Sequence, residues 1–416
     1  MSGLRPHLGD AAWLTGGSLA YILRILDRDG EEARVVGGAV RNALIGQPVH
    51  EIDVATTALP EEILRRAQEA QLRAVPTGID HGTITLLAGG TPFEVTTLRE
   101  DVETYGRKAK VAFGRDWRRD AERRDFTINA LSVSRDGMIH DYVGGLADLD
   151  ARRVRFIGDA AARIAEDYLR ILRFFRFHAA YGEGEPDAAA LHACIVARDG
   201  LRSLSRERVR MELLKLLVAR RATAAIRVMA DTGLLVPILG GVPYLVSFET
   251  MAAIEAASGE KPDPVRRLGA LAVAVEEDAE RLFERLRLSN AEHDRLRSMA
   301  DGWWRIGAAL TPPDARALLY RLGSLRFADR LLLSWSRSRD ASGDSEWRDL
   351  VALPARWQPP ACPICASDLI ARGIPKGPAL GAALREAEAA WIAADFPSDP
   401  AVAAVIADRA AANHRP

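Results

Sequence analysis

Cysteine is scarce. Cys194, Cys362 and Cys365 are the only three in 416 residues, too few for a disulfide framework and in keeping with a reducing, cytoplasmic setting. No apolar run reaches the roughly 20 residues that a bilayer span needs. Met1 to Asp10 holds no apolar stretch followed by a cleavage site, so neither a membrane segment nor a signal peptide is expected. A dominant charge sign is missing too. Lys and Arg number 56 against 57 Asp and Glu, a net charge of −1. That excludes a uniformly basic nucleic-acid coat, but not a local basic face. Residues 151–221 carry such a bias, with 15 Lys and Arg against 9 Asp and Glu.

What remains is an ordinary globular balance, 48% hydrophobic and 27% charged, in a chain long enough to bury a core without staples. At about 150 residues per domain the length suggests two to three domains. The first third mixes β-branched runs with glycine turns: Arg34-Val35-Val36 before Gly37-Gly38, Thr83–Leu87 before Gly89-Gly90, and Phe93–Leu98. These read as strands, and Pro60–Ala67 reads as a helix opened by its proline. Beyond residue 150 the apolar period becomes helical, as at Leu169, Leu172 and Phe175 or Leu213, Leu216 and Leu217. Breaks are expected at 182–186, 240–243, 259–264 and 354–363. No repeat recurs at a fixed period, and Ala411 to Pro416 is expected to fray.

Four blocks carry chemistry. In Val35–Leu44 a buried strand ends in two glycines and a helix starts at once. Such a turn lets backbone N–H groups approach a phosphate, with Arg41 close by to pair with it; a plain strand–turn–helix connection has the same sequence. In His50–Thr57, read as a strand, Glu51 and Asp53 face one way. Two adjacent carboxylates call for a cation such as Mg²⁺, unless they form a solvated edge face. Arg123–Leu131 follows, then Glu166–Phe177. There Asp167, Arg170, Arg173 and Arg176 step by three on an expected helix, as a solvated ladder of charges or as an anion-lined cleft.

In this order the blocks resemble the class II tRNA nucleotidyltransferases, the CCA-adding enzymes, with their bacterial poly(A) polymerase relatives. The matching pieces are Gly37-Gly38-Ala39-Val40-Arg41, Glu51-Ile52-Asp53, Arg123–Ala130, Glu166-Asp167-Tyr168-Leu169-Arg170 and Arg206–Glu212. They cover roughly residues 30–220. The resemblance implies an α+β chain: a polymerase β-like nucleotidyltransferase head with a mixed sheet, then an all-helical neck, body and tail. The corresponding ranges are 1–150 for the catalytic head, 151–240 for the neck and 241–416 for a tRNA-binding body and tail. It implies that Gly38 and Arg41 bind the triphosphate, that Glu51 and Asp53 hold Mg²⁺, and that Arg124 touches the nucleotide. Asp167 and Arg170 would read the base edge with Arg173 and Arg176 nearby, and the Arg206–Glu212 block would brace the neck helices. Glu94, on the third expected strand, is a candidate third carboxylate or an ordinary strand glutamate. The partners implied are tRNA, CTP and ATP, with no membrane and no protein partner.

The base chemistry is coherent. Cytosine and adenine both offer an exocyclic amine beside a ring-nitrogen acceptor, which match Asp167 and Arg170. Uracil and guanine reverse both contacts, at about 1–3 kcal/mol for each group left unpaired. Two residues depart from the family pattern: Glu51 and Asn42 stand where Asp is usual. Arg99 to Arg119, with Tyr105-Gly106-Arg107, resembles the flexible loop of enzymes that add the full CCA. A poly(A) polymerase or A-only enzyme, and a catalytically weak RNA-binding protein, are the alternatives on this scaffold. Cys362-Pro363-Ile364-Cys365 lacks the second ligand pair that a structural zinc site needs. His293-Asp294 is expected in a helix opened by Ser289-Asn290, and Trp303, Trp304 and Trp391 are expected as core anchors.

Overall fold

The computed structural model describes residues 7–105, 108–338 and 344–415. It divides into two compact units, Met1–Gly240 and Gly241–Pro416.

The first unit contains nine strands among its described residues. They are β1 (Ala33–Val36), β2 (Asp53–Thr56), β3 (Arg73–Gly78), β4 (Thr83–Ala88), β5 (Thr91–Thr97), β6 (Arg99–Tyr105), β7 (Lys108–Phe113), β8 (Ser132–Ser134) and β9 (Ile139–His140). Seven form one sheet in the order β3-β4-β5-β2-β1-β8-β9, and β6 and β7 form a separate hairpin. Within the seven, β2 and β5 run parallel and the other neighbours antiparallel, so the sheet is mixed. β1 is buried on both faces, Arg34 included. Gly89 and Gly90, both at positive φ, close the β4–β5 hairpin as a tight two-residue turn.

Past the sheet the first unit is helical. Phe174 and Phe177, on the helix Leu169–Tyr181, pack their rings against Phe126 and Phe156 at centroid distances of 5.1 to 6.4 Å. Each such buried ring contributes roughly 1.5–3 kcal/mol, so this cluster anchors the helix firmly to the loop that carries the Arg123–Ala130 block.

The described residues of the second unit contain helices and no strands. Its core includes a buried ionic network. Glu255 and Asp329 are fully buried and take Arg266, Arg267 and Arg295, and Arg295 also pairs with Asp263. The helix Asn290–Ala300 opens on a capping box between Ser289 and Glu292, as expected. Two expectations fail here. Trp391 is buried, but Trp304 is 57% exposed and is no core anchor. The last helix, Pro400–His414, keeps Ala411 fully buried against Leu369 and Ala383 instead of fraying, because small residues let it pack closely.

Candidate active site

β1 delivers the chain to Gly37, whose φ of 72° and ψ of −125° suit glycine alone. A Cβ there would also stand 3.2 Å from Arg124 Nη1. The helix Gly38–Leu44 starts at once, and Arg41 in it is only 6% exposed. Its guanidinium donates to Asn129 Oδ1, to Asn42 Oδ1 at 3.0 and 3.2 Å, and to the Tyr181 hydroxyl at 2.7 Å. Burial pulls its pKa below the ordinary value, although the neighbouring Asp125 charge acts in the opposite sense.

The carboxylates meet through sheet register. β2 and β5 pair in parallel with Asp53 beside Glu94, on strands about 4.8 Å apart. Glu51 precedes β2, which begins only at Asp53, so the expected strand over 50–57 is shorter and the i, i+2 argument for Glu51 fails. Glu51 nevertheless acts on Asp53. Desolvation by the cleft walls, then the Glu94 and Glu51 charges, raise the Asp53 carboxyl above its usual pKa, with Arg124 opposing them. This concentration of negative charge on oxygen donors suits a hard divalent cation. Among the described residues no three His, Cys, Asp or Glu side chains converge as a ready-made cage. The set would suit a divalent cation that binds through one or two carboxylates and takes its remaining ligands from water and substrate phosphates.

Asp167 departs from the expected stripe. It caps the end of the helix Ala160–Glu166 in an extended conformation, outside the helix Leu169–Tyr181 that holds Arg170, Arg173 and Arg176. The two helices break at this residue, so the step-of-three argument does not reach it. Its carboxylate pairs with Arg208 and accepts the Leu169 N–H at 3.1 Å. Arg170 pairs with Glu166. Arg173 binds Asp125 through Nε at 2.8 Å and Nη2 at 2.6 Å, and Arg176 binds Glu212. Glu212 also lies 3.6 Å from Arg173, so the helix Arg206–Leu217 is tied to the helix Leu169–Tyr181.

Gly38, Arg41, Glu51, Asp53, Glu94, Arg124, Asp167, Arg170 and Arg173 all line one cleft of about 740 Å³. Arg176 stands behind it, stacked on Phe177 at 4.3 Å. Sequence reasoning gave no role to Asp120, Asp125, Asn129 or Arg208, which also line the cleft. Asp120 had a local signal, since it lies three and four residues before Arg123 and Arg124 and receives both. Burial alone would raise its carboxyl, but the Arg124 and Arg123 charges and hydrogen bonds from Arg123 and Arg99 hold it below the usual range. Of the expected flexible loop, Gly106 and Arg107 lie outside the described residues; the backbone around them forms the β6–β7 hairpin.

Residues 33–155 match the family described as the Poly A polymerase head domain. Residues 187–256 match that described as the probable RNA and SrmB-binding site of polymerase A. The chain is 35% identical over 399 residues to CCA tRNA nucleotidyltransferase 1, mitochondrial, of Danio rerio, covering 90% of this chain and 86% of the relative. It is 31% identical over 372 residues to the CCA-adding enzyme of Limosilactobacillus fermentum, covering 87% and 89%. The crystal structure of Bacillus stearothermophilus CCA-adding enzyme in complex with CTP superposes with a TM-score of 0.74 at 25% identity, over 95% of this chain and 98% of that one. The head-domain match and these relatives place the chain among the nucleotidyltransferases, a class of transferase. Within that class the chain belongs to the family of CCA tRNA nucleotidyltransferases, the CCA-adding enzymes. No described helix is long and apolar enough to cross a membrane.

Proposed function

We propose that this chain adds C, C and A to the 3′ end of tRNA, without a nucleic-acid template, from CTP and ATP. The observation that carries the reading is the single cleft in which the glycine turn, the Asp53–Glu94 pair and the Asp167–Arg170 pair face one another. The three sets supply a triphosphate cradle, a cation site and a base-edge reader. The cleft belongs to a catalytic head over 1–150 and a neck over 151–240, with 241–416 serving tRNA. The cytoplasm is the proposed setting, on the scarcity of cysteine in the sequence.

Glu51 and Asp53 would hold Mg²⁺, with Glu94 the candidate third carboxylate; the ion would lower the pKa of the attacking hydroxyl and offset charge on the phosphates. Arg41 and Arg124, with the backbone of Gly37 and Gly38, bind the triphosphate and orient its α-phosphate. The tRNA 3′-hydroxyl attacks that phosphorus and pyrophosphate leaves. Asp167 accepts from the exocyclic amine and Arg170 donates to the ring nitrogen. Both are engaged elsewhere, by Arg208 and Glu166, so base binding exchanges internal ion pairs for hydrogen bonds to the nucleotide. Such an exchange favours a base that returns both contacts and disfavours one that returns neither.

Incubation with tRNA lacking its 3′ end, Mg²⁺ and labelled CTP or ATP tests the reading. Two C followed by one A is the expected product. Long A tails on generic RNA would replace it with a poly(A) polymerase, and A alone on a CC end with an A-only enzyme. Binding of tRNA without any incorporation would leave an RNA-binding protein.

A further inference from the structure

Arg41 is the buried cation of the cleft whose direct partners are all uncharged. Asn42, Asn129 and Tyr181 each accept from it, and none is a carboxylate. The resemblance leads one to expect Asp at position 42; with an amide there no carboxylate is hydrogen-bonded to the guanidinium. Tyr181 meets it in two ways. Its hydroxyl accepts from Nη2 at 2.7 Å, and its ring lies 3.8 Å from the guanidinium carbon, an attraction that strengthens when water is excluded. Tyr181 ends the helix Leu169–Tyr181, which begins beside Arg170 and Arg173. It stands 140 positions from Arg41 in sequence and does not itself line the cleft. Arg41 does line it, with Nη2 3.5 Å from where a Cβ on Gly38 would be.

We propose that Tyr181 is a positioning residue that aims Arg41, whose hydrogen-bond partners are uncharged, at the triphosphate of a nucleotide seated on the Gly37-Gly38 turn. The inference rests on the nucleotidyltransferase reading of this cleft. It makes the phosphate cradle dependent on the far end of the same helix that carries Arg170. The structural cause is that an uncharged acceptor and a π face fix the direction of a cation while leaving its charge available to a ligand; a carboxylate in their place would cancel much of that charge.

The test is binding of inorganic tripolyphosphate, in Mg²⁺, to the full chain by titration calorimetry, beside steady-state addition to tRNA and a thermal melt. Tyr181→Phe keeps the ring and removes the acceptor; Tyr181→Leu removes both. Losing one hydrogen bond to a charged group predicts about tenfold weaker tripolyphosphate binding for Tyr181→Phe, and a larger loss for Tyr181→Leu. KM for CTP and for ATP should rise by the same factor, with kcat and the preference for CTP over UTP unchanged. Adding Asn42→Asp to Tyr181→Phe should not restore binding, because a carboxylate on the Nε and Nη2 edge cancels charge that the anion needs. Unchanged affinity in Tyr181→Phe would overturn the proposal. So would a loss that tracks a lowered melting temperature, since that is the mark of general packing, and so would recovery of binding on adding Asn42→Asp. Tripolyphosphate binding needs no tRNA, so failure of the tRNA reading appears separately, as a wild-type chain that binds the anion and adds nothing.

Discussion

Replacing Asp125 by Asn tests the joint between the Arg123–Ala130 block and the neck. The carboxylate side chain is 11% exposed and accepts three hydrogen bonds, from Arg173 Nε at 2.8 Å, Phe126 N at 2.9 Å and Asn129 Nδ2 at 3.2 Å, with Arg173 Nη2 2.6 Å away in the same ion pair. Burial would raise its pKa, but the Arg173 charge and the bonds from Arg173, Asn129 and Phe126 outweigh burial and hold it below the usual range. An asparagine offers one acceptor oxygen, which cannot serve both Arg173 and the Phe126–Asn129 side. One set of donors loses its partner, at about 1–3 kcal/mol. Losing the ion pair would cost about 3–5 kcal/mol if it were fully buried. Arg173 is 32% exposed and has Glu212 at 3.6 Å, so solvent and that second carboxylate recover much of this. The sum expected is about 2–4 kcal/mol, or a fall of roughly 5–12 °C in the transition of the first unit. Differential scanning calorimetry on the full chain, fitted as two transitions, reads it. Because the folded pKa is depressed, the stabilisation is complete above the unfolded value of about 3.9 and is lost as pH falls through the folded value. The gap between wild type and Asp125→Asn should therefore close on acidification. A melting temperature within about 1 °C of wild type at neutral pH, or a gap that widens in acid, would refute the reasoning.

Asp53→Asn should abolish nucleotide addition while leaving tRNA binding in a filter assay intact; substantial residual incorporation would end the metal assignment. Asp167→Ala should blur nucleotide choice, raising UTP use relative to CTP by about tenfold or more, and unchanged selectivity would show that Asp167 serves only to anchor Arg208. In the second unit Asp329→Ala leaves Arg266 with Glu255 alone and Arg295 with Asp263 alone. It should destabilise that unit by about 1–3 kcal/mol, and a denaturant midpoint equal to wild type would contradict the network.

The sequence by itself determined the local architecture and the family. Strand–glycine–helix at 35–44, the β-branched runs and the helical period past 150 are each set by neighbours a few residues apart, and the order of five motifs needs no structure to be legible. The glycine turn and Asp53 could be found in the same way. What lay beyond local reach was partner choice. Glu94 was a guess until the parallel register of β2 and β5 set it beside Asp53. Asp167 and Arg170 looked like members of one stripe, yet a break between two helices sends Asp167 to Arg208 and leaves Arg170 with Glu166. Tyr181 gave no signal, because its meaning depends on a residue 140 positions away. Periodicity encodes which face of an element is apolar. Which charges meet across the cleft is decided only when the phenylalanine cluster fixes the helix on the head, and at that point desolvation makes each pairing matter.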